Sequence, residues 1–246
     1  CTTGTHNIGE GFRQIQYSHA DLMICGGAEM ATTPLGIGGF AAARALSTRN
    51  DEPTRASRPW DVDRDGFVLG DGAGVLVLEE LEHAKRRGAK IYAEISGYGM
   101  SADAYHITAP SIDGPRRSMI NAINNAEVNI DEIGYINAHG TSTPVGDNAE
   151  LGAVQEVFGE NSPYISSTKS LTGHSLGAAG AQEAIYSLLM MKNNFMCKSA
   201  HIENLDESAK NMNILRDIKQ GQFNIAMSNS FGFGGTNASL IFKRYN

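Results

Sequence analysis

Short apolar runs alternate with segments of helical periodicity along this chain, and this alternation constrains the fold more than any other feature. Apolar runs typical of strands occur at 22–25, 74–79, 91–95, 133–138 and 164–166, and helical segments at 7–19, 80–87, 115–126, 147–158 and 176–191. Two more apolar runs, 223–227 and 238–242, flank a glycine-rich loop and are predicted to pair. Such alternation indicates stacked α/β layers.

The apolar runs also predict which elements are buried. The runs 22–25 and 74–79 are continuous and lie next to glycines, so both are expected to be buried strands. The helix 176–191 is rich in Ala and Leu, with small residues on several faces, which favours a position inside a sandwich. The segment 30–60 is rich in Gly, Thr, Arg and Pro and is predicted to be irregular. A domain boundary is placed near Lys90, although no change of composition marks it.

Size and charge exclude several classes of protein. With 246 residues, of which 41% are hydrophobic, the chain can bury a core in one large or two moderate domains. A formal net charge of -7 without a basic run argues against a nucleic-acid partner. No apolar stretch approaches the length of a transmembrane helix, and no basic and apolar leader is found. Three scattered cysteines fit a reducing compartment, so we expect a protein of the cytoplasm or an organelle matrix, without a membrane contact.

The sequence carries no pattern for a metal or nucleotide site. CxxC and HExxH motifs are absent, as is a regular cluster of His and Asp, so no metal is expected. The stretch Gly70–Gly74 (GDGAG) has a passing similarity to a nucleotide-binding loop, but a strand rather than a helix is predicted to follow it. We interpret these glycines as positions of close packing.

Cys1 is the first candidate for a chemical role. Small residues and then a predicted helix follow it, so its thiol would lie near a helix N-terminus, where unpaired N–H groups and the helix dipole stabilise a thiolate. Such a thiolate could attack an acyl group and form a thioester. On position alone, a terminal cysteine that is present by chance or derives from a tag is the alternative.

The segment Asn137–Pro144 (NAHGTSTP) starts in a predicted strand and continues with a histidine and hydroxyl side chains. Ligands bind at strand ends in α/β sheets, which makes this segment a candidate site. A histidine in a surface turn capped by threonine would give the same pattern. Asp147 follows and could cap the next helix or orient a neighbouring residue.

The segment Ser166–His174 (SSTKSLTGH) lies between a short strand and a long helix. The helix N-terminus would favour the neutral form of His174, and a neutral imidazole can donate a hydrogen bond to a developing oxyanion. Lys169 and His174 could instead both be in water. The small residues that follow weaken this alternative, because they require close packing.

The segment Ser228–Asn237 (SNSFGFGGTN) joins the last two predicted strands. Its glycines would let backbone N–H groups approach a ligand, as an oxyanion hole requires. Phe231 and Phe233 could line an apolar channel. An ordinary glycine hairpin is the alternative, but exposed hairpin loops rarely contain two phenylalanines.

Together, the four segments resemble motifs of the β-ketoacyl-acyl-carrier-protein synthases, which are condensing enzymes of the thiolase fold. Cys1–Gly9 (CTTGTHNIG) is similar to the nucleophile segment of that family, Asn137–Asp147 to its first-histidine motif, Ser167–Gly180 to its lysine and second-histidine motif, and Asn229–Asn237 to its terminal glycine loop. The stretches 45–48, 58–74 and 103–110 are also similar, so the resemblance covers essentially the whole chain. Two histidines beside a cysteine are typical of the elongating synthases, whereas the initiating ones use Cys, His and Asn.

The resemblance implies an α/β fold, a thiolase-like layered α-β-α-β-α sandwich with two related halves. Residues 1–90 would be the remainder of the N-terminal half, starting at the nucleophile, and 91–246 the C-terminal half. The family has a substantial portion before its nucleophile, so we expect that an upstream part is omitted here and that the first half is incomplete. Its strands would then expose edges, which favours aggregation.

The resemblance also implies a reaction. The enzyme would be an acyltransferase that joins an acyl thioester to malonyl-acyl carrier protein with loss of CO2, giving 3-oxoacyl-acyl carrier protein in fatty acid elongation. Cys1 would accept the acyl group, and the backbone N–H groups of Cys1 and Phe233 would form the oxyanion hole. His139 and His174 would stabilise the enolate after decarboxylation, and Lys169 would tune and orient them.

Substrate-binding residues and partners are implied in the same way. Thr141 and Thr143 would hold the phosphopantetheine arm, and Phe233 would be a gate with Phe231 and Thr108 nearby. This chemistry requires a thiolate, an oxyanion hole and neutral donors, but no metal and no nicotinamide. No cofactor is expected, since phosphopantetheine arrives on the acyl carrier protein. The expected partners are that carrier, acyl and malonyl thioesters, and a second copy of the chain in a homodimer.

Two alternatives from other classes stay open. If Cys1 is a mature N-terminus, its own α-amine could be the base of an N-terminal-nucleophile amidohydrolase, but His139, Lys169 and His174 would then have no role. A non-catalytic partner subunit, comparable with the chain-length factors of polyketide systems, would lack the nucleophile that this chain keeps.

Subtype and carrier contacts also stay open. Residues 1–110 are more similar to type II synthases and residues 177–190 to type I, so the subtype is not assigned. The accepted chain length and the pathway, fatty acid or polyketide-like, are not indicated by any motif. Arg44 and Arg49 could meet an acidic carrier protein or could form a solvated basic face.

Overall fold

The computed structural model describes residues 1–245, in which helices and strands alternate along much of the chain. The helices are α1 Thr3–Gln16, α2 Pro34–Ala42, α3 Leu81–Arg86, α4 Asp113–Ala126, α5 Pro144–Phe158, α6 Lys169–Thr172 and α7 Ala179–Asn193. The strands are β1 Leu22–Glu29, β2 Gly72–Glu79, β3 Glu94–Ala102, β4 Tyr135–Asn137, β5 Tyr164–Ser166, β6 Phe195–Met196, β7 Lys219–Gln220, β8 Ile225–Gly232 and β9 Thr236–Lys243. None of the helices in residues 1–245 is long and apolar enough to cross a membrane.

The largest sheet has five strands in the order β3-β9-β8-β4-β5. β8 and β9 form an antiparallel hairpin, as the paired apolar runs predicted, and β4 lies parallel to both β5 and β8. The carboxyl ends of β4, β5 and β8 therefore meet at one edge of the sheet. Each of these ends leads into one of the candidate segments, with Asn137, Ser166 and Gly232 as the last strand residues.

α1 and α7 pack together between this sheet and the antiparallel pair β1–β2. They approach closely at Gly4, where an added Cβ would lie 2.7 Å from the backbone nitrogen of Ala181. α7 buries Ala181 and Ala184, which confirms the prediction of a helix inside a sandwich. α4 and α5 cover the opposite face of the five-stranded sheet. The order of layers is thus β-α-β-α among the described residues.

The prediction that 22–25 and 74–79 are buried strands is wrong in part. Both lie within real strands, β1 and β2, but burial alternates along them and only one face packs on α1 and α7. On the other face Ile24, Val75 and Val77 are 71%, 62% and 60% exposed. Because β1 and β2 carry apolar residues on both faces, the sequence predicted that both faces would be buried. In residues 1–245, however, only the face toward α1 and α7 is covered.

Several element boundaries also differ from the predictions. The segment predicted to be irregular contains α2, whose first turn is capped by the Thr33 hydroxyl, which accepts a hydrogen bond from the Gly36 N–H at 3.2 Å. β3 begins at Glu94 rather than at 91, and the helix predicted from 176 opens with a short 3-10 turn before α7. The strand after Gly70–Gly74 is confirmed as β2. The division near residue 90 stays a prediction.

Gly99→Ala is expected to destabilise the protein by about 2–3 kcal/mol, because overpacking a close backbone contact forces local shifts. A Cβ at Gly99 would lie 2.1 Å from the carbonyl oxygen of Ser118 and 2.3 Å from the backbone nitrogen of Ala122, both in α4. Chemical denaturation measures the change in the free energy of unfolding. Gly39→Ala in α2 is the matched control, since no atom lies within 4 Å of its added Cβ. Equal stability of the two variants would contradict the packing argument.

Candidate active site

A cavity of about 210 Å³ lies where α1 begins, beside the β8–β9 loop and the segment that follows β4. It brings together all of the predicted site residues except Lys169: Cys1, His139, His174, Thr141, Thr143, Phe231, Phe233 and Thr108. These residues come from five separate parts of the chain. The strand order explains their meeting, because β4, β5 and β8 end at the same edge of the sheet.

Cys1 is half-buried and lies beside the first turn of α1, which starts at Thr3. The glycine loop is its neighbour, since a Cβ at Gly232 would lie 3.4 Å from the backbone nitrogen of Cys1. A hydrogen bond of 2.9 Å between the hydroxyls of Thr2 and Thr236 ties the two segments together. No acceptor for the N–H of Phe233 is found among residues 1–245. Cys1, beside a helix N-terminus, and Phe233, whose N–H is unpaired among these residues, therefore line the same cavity.

The rings of His139 and His174 lie edge to face, with their centroids 5.2 Å apart. The two residues are 9% and 2% exposed, and neither Nδ1 atom has a hydrogen-bond partner within the described part of the chain. Burial, reinforced by the positive charge of Lys169, lowers the pKa of both imidazoles well below the ordinary value. Both rings are therefore neutral at pH 7. The sequence predicted a neutral His174 from a helix terminus, whereas burial is the main cause here.

Glu150 on α5 holds the backbone of the first histidine segment and was missed by the sequence analysis. Its carboxylate accepts hydrogen bonds from the N–H groups of His139, at 2.8 Å, and Gly140, at 2.7 Å. Burial raises the pKa of Glu150 to about 7, against the effect of these two donors. The spacing offered one signal: Glu150 follows Asp147 by three residues, so both carboxylates lie on one face of the predicted helix.

Asp147 holds the next part of the same segment. One carboxylate oxygen accepts from the N–H of Ser142 at 3.1 Å, and the other accepts from the N–H of Trp60 at 3.1 Å. Arg64 forms a buried ion pair with Asp147, at 3.2 Å from its Nε, and donates to the carbonyl oxygen of Pro144 at 3.1 Å. Asp147 thus orients the loop before α5, one of the two roles that the sequence suggested.

Lys169 does not line the cavity. It is buried behind the histidines and forms an ion pair with Glu183 of α7, each residue being 2% exposed or less. Burial raises the pKa of Glu183 to about 7, and the charge of Lys169 opposes that rise. The lysine acts on the site at a distance, through its charge, rather than through a contact with the cavity.

Glu183→Leu is expected to destabilise the protein by about 3–5 kcal/mol, because it leaves the ammonium of Lys169 buried without its partner. The double variant Lys169→Met with Glu183→Leu removes both charges and is expected to recover most of that loss. Thermal and chemical unfolding of the three proteins measure the difference. A single variant as stable as the double one would contradict a buried pair.

Aromatic rings form one wall of the cavity. Phe67 packs edge to face on His174 with ring centroids 5.3 Å apart, and Phe40 packs on Phe67 in the same way at 5.3 Å. Phe40 also contacts Phe233, at 6.5 Å between centroids, and Phe231 lies 6.2 Å from His139. The sequence analysis missed Phe40, which lies on the unpredicted α2, and did not single out Phe67.

Thr108 lies in a loop that is fastened to the glycine loop. The N–H of Gly234 donates to the carbonyl oxygen of Ile107 at 2.7 Å, and Asp103 accepts from the side-chain amide of Asn237 at 2.7 Å.

Arg44 is exposed and lines the mouth of the cavity, whereas Arg49 is turned to the carbonyl oxygen of Asp63, 2.9 Å from its Nη2. Within residues 1–245 no group of three or more His, Cys, Asp and Glu residues could hold a metal ion.

Comparison with known proteins assigns the family. A model of the beta-ketoacyl synthase N-terminal domain matches residues 1–84, and a model of the C-terminal domain of the same family matches residues 92–203. The 3-oxoacyl-[acyl-carrier-protein] synthase 2 of Vibrio cholerae is 56% identical over 99% of this chain and 60% of its own length. The chain thus spans about 60% of the length of the curated relatives that it matches.

Solved structures agree with these matches. A beta-ketoacyl synthase from Burkholderia phymatum superposes with a TM-score of 0.97 and 43% identity, over 100% of this chain and 60% of that one. A type II polyketide synthase acyl-carrier protein in complex with its ketosynthase, AntDE:AntF, gives a TM-score of 0.94 and 33% identity over 100% and 61%. The predicted thiolase-like α/β fold is confirmed, and the amidohydrolase alternative is left without support. The chain belongs to the β-ketoacyl synthase family.

Proposed function

We propose that the protein carrying this chain condenses an acyl thioester with malonyl-acyl carrier protein and releases CO2, giving 3-oxoacyl-acyl carrier protein in fatty acid elongation. One observation carries the proposal: a single cavity holds a cysteine at a helix N-terminus, two neutral buried histidines and an unpaired backbone N–H beside a glycine loop. The cysteine and the backbone N–H serve the first step of that reaction, and the two histidines serve the second.

In the first step the Cys1 thiolate attacks the carbonyl carbon of the acyl thioester. The new bond joins the carbonyl carbon to Sγ, the bond to the sulfur of the carrier breaks, and the carrier leaves as a thiolate that then takes up a proton from water. The oxyanion of the tetrahedral intermediate would lie between the N–H groups of Cys1 and Phe233. The contact of Gly232 with Cys1 supports this arrangement, because it brings the glycine loop beside the nucleophile.

In the second step the malonyl thioester loses CO2, and the electron pair of the broken carbon–carbon bond passes into an enolate. Neutral His139 and His174 can each donate a hydrogen bond to the enolate oxygen. The enolate carbon then attacks the carbonyl carbon of the Cys1 thioester, the new carbon–carbon bond forms, and the Cys1 thiolate leaves. The two rings are neutral because burial and the charge of Lys169 lower their pKa values. A neutral ring still keeps one N–H that it can donate to the enolate oxygen.

Acyl carrier protein is the proposed partner. The names of the curated relatives and the ketosynthase complex with a carrier protein support it. The hydroxyls of Thr141 and Thr143 lie 3.0 Å apart on the cavity wall, where they could hold the phosphopantetheine arm, and Phe233 is 39% exposed at the gate position. A homodimer and a location in the cytoplasm or an organelle matrix are part of the same proposal.

The test follows the two steps separately in the full-length protein. Incubation with an acyl-carrier thioester is expected to add the mass of one acyl group to the protein. Subsequent malonyl-carrier thioester is expected to remove that mass, release CO2 and give a 3-oxoacyl product two carbons longer. Omission of the acyl donor is the control for the condensation product. A folded protein that gains no acyl mass and releases no CO2 would refute the proposed function.

A further inference from the structure

Trp60 has a backbone conformation that is unusual for a bulky side chain. Its φ is +63°, in the left-handed region that favours glycine, and the residue is completely buried. Such strain persists only where the surroundings fix it, and it is concentrated at functional sites. The indole belongs to the same core cluster as Ile136 and Ala138, which lead into the first histidine segment.

The indole lies against the backbone of that segment. A Cβ at Gly140 would lie 3.2 Å from Cη2 of Trp60 and 2.7 Å from Cβ of Ser167, so Gly140 is held between these two side chains. The φ of Gly140 is +28°. Gly140, the residue after His139, therefore has no room to move toward the core, because the side chains of Trp60 and Ser167 block it.

The backbone of Trp60 is tied to the same segment. Its N–H donates to Asp147, whose other carboxylate oxygen accepts from the N–H of Ser142. The N–H of Arg58, two residues earlier, donates to the hydroxyl of Ser142 at 2.9 Å, and the carbonyl oxygen of Trp60 accepts from the N–H of Asp206 at 2.8 Å. Relaxation of φ at Trp60 would therefore displace groups that hold residues 140–143.

We propose that Trp60 is a positioning residue for the histidine side of the active site. Its indole limits Gly140, and its backbone fixes Asp147, so that His139 and the hydroxyls of Thr141 and Thr143 face the cavity. This inference rests on the proposed function, because it assigns Trp60 to the decarboxylation step. Cys1 lies beside a different element, α1, so its attack on a short acyl thioester that lacks the phosphopantetheine arm does not depend on Trp60.

Trp60→Phe is the variant of choice. The indole Nε1 has no hydrogen-bond partner among residues 1–245, so phenylalanine loses no hydrogen bond and removes mainly the ring edge that faces Gly140. Trp60→Met is the second variant, because a flexible side chain refills an irregular space if phenylalanine does not fold. Phe242→Leu is the matched control: it also shrinks a fully buried aromatic, but in the other core cluster.

The first readout does not depend on catalysis. In protein labelled at histidine, the NMR resonances of the His139 ring are expected to shift in Trp60→Phe and to stay unchanged in Phe242→Leu. The second readout compares the two steps. CO2 release from a malonyl thioester is expected to fall by about tenfold to a hundredfold, because small misplacements have effects of this size. The rate of Cys1 acylation by a short acyl thioester without the phosphopantetheine arm is expected to stay within about twofold of the wild type.

Unshifted His139 resonances, or losses of acylation and decarboxylation in equal proportion, would overturn the positioning role. The positioning role would also be overturned if Trp60→Phe and Phe242→Leu changed the ratio of the two rates equally. The effect of Trp60→Phe would then come from a loss of core stability alone. If the wild-type protein neither acylates nor decarboxylates, the proposed function fails, and the His139 resonances still decide the role of Trp60.

Discussion

Cys1→Ala is expected to abolish formation of the acyl-enzyme while malonyl decarboxylation stays measurable. Of the three cysteines, only Cys1 lines the cavity; Cys25 is 6% exposed in the core, and Cys197 lies outside the lining. Removal of a covalent nucleophile lowers the rate of its reaction by roughly 10⁶-fold. In the proposed mechanism the enolate is stabilised by the histidines, which alanine at position 1 leaves in place.

Intact mass after incubation with an acyl-carrier thioester measures the first effect, and CO2 release from malonyl-carrier thioester measures the second. Cys197→Ser is the matched control, since it removes a thiol that has no place at the cavity, and its acyl mass gain is expected to equal that of the wild type. A mass gain that persists in Cys1→Ala would show that another group is the nucleophile.

The sequence was a good guide to the place of each motif after an apolar run. His139 and His174 follow β4 and β5, and the glycine loop follows β8. The parallel pairing of β4 with β5 and with β8, which brings these three segments to one edge of the sheet, was not predicted. It depends on contacts between strands that are far apart in the chain, and no single motif reports such contacts.

The supporting residues were not accessible in the same way. Glu183 and Trp60 act through a buried charge and a strained φ, and neither effect has a period or a motif. Glu150 acts through backbone N–H groups, and its helical spacing from Asp147 was its one signal. Burial was also misjudged, because β1 and β2 are apolar on both faces while only one face is covered in residues 1–245. A strand pattern reports which faces can be buried, whereas only the neighbouring elements decide which faces are.

The position of Lys169 changes how the two histidines can be understood. The ammonium group of Lys169 does not line the cavity, yet its charge is the second cause, after burial, of the low pKa of both rings. Glu183 forms an ion pair with the ammonium of Lys169 and thereby permits its burial. Neutral imidazoles are thus a property of the whole buried cluster, and the proposed enolate step would depend on them.

His139→Ala and His174→Ala are each expected to lower malonyl decarboxylation by about 10²–10⁴-fold, the range for loss of a positioned proton donor or oxyanion donor. Acylation of Cys1 is expected to continue, since its oxyanion would be held by backbone N–H groups and its thiolate by the N-terminus of α1. The two variants therefore separate the steps in the opposite sense to Cys1→Ala.

His19→Ala, at an exposed position beyond the end of α1, is the control and should leave both rates unchanged. CO2 release and intact mass are measured on the same samples, with unfolding curves to confirm the fold. If CO2 release survives in both variants, or if acylation falls in parallel with it, the histidines do not stabilise the enolate; a selective loss would tie that step to the two neutral rings.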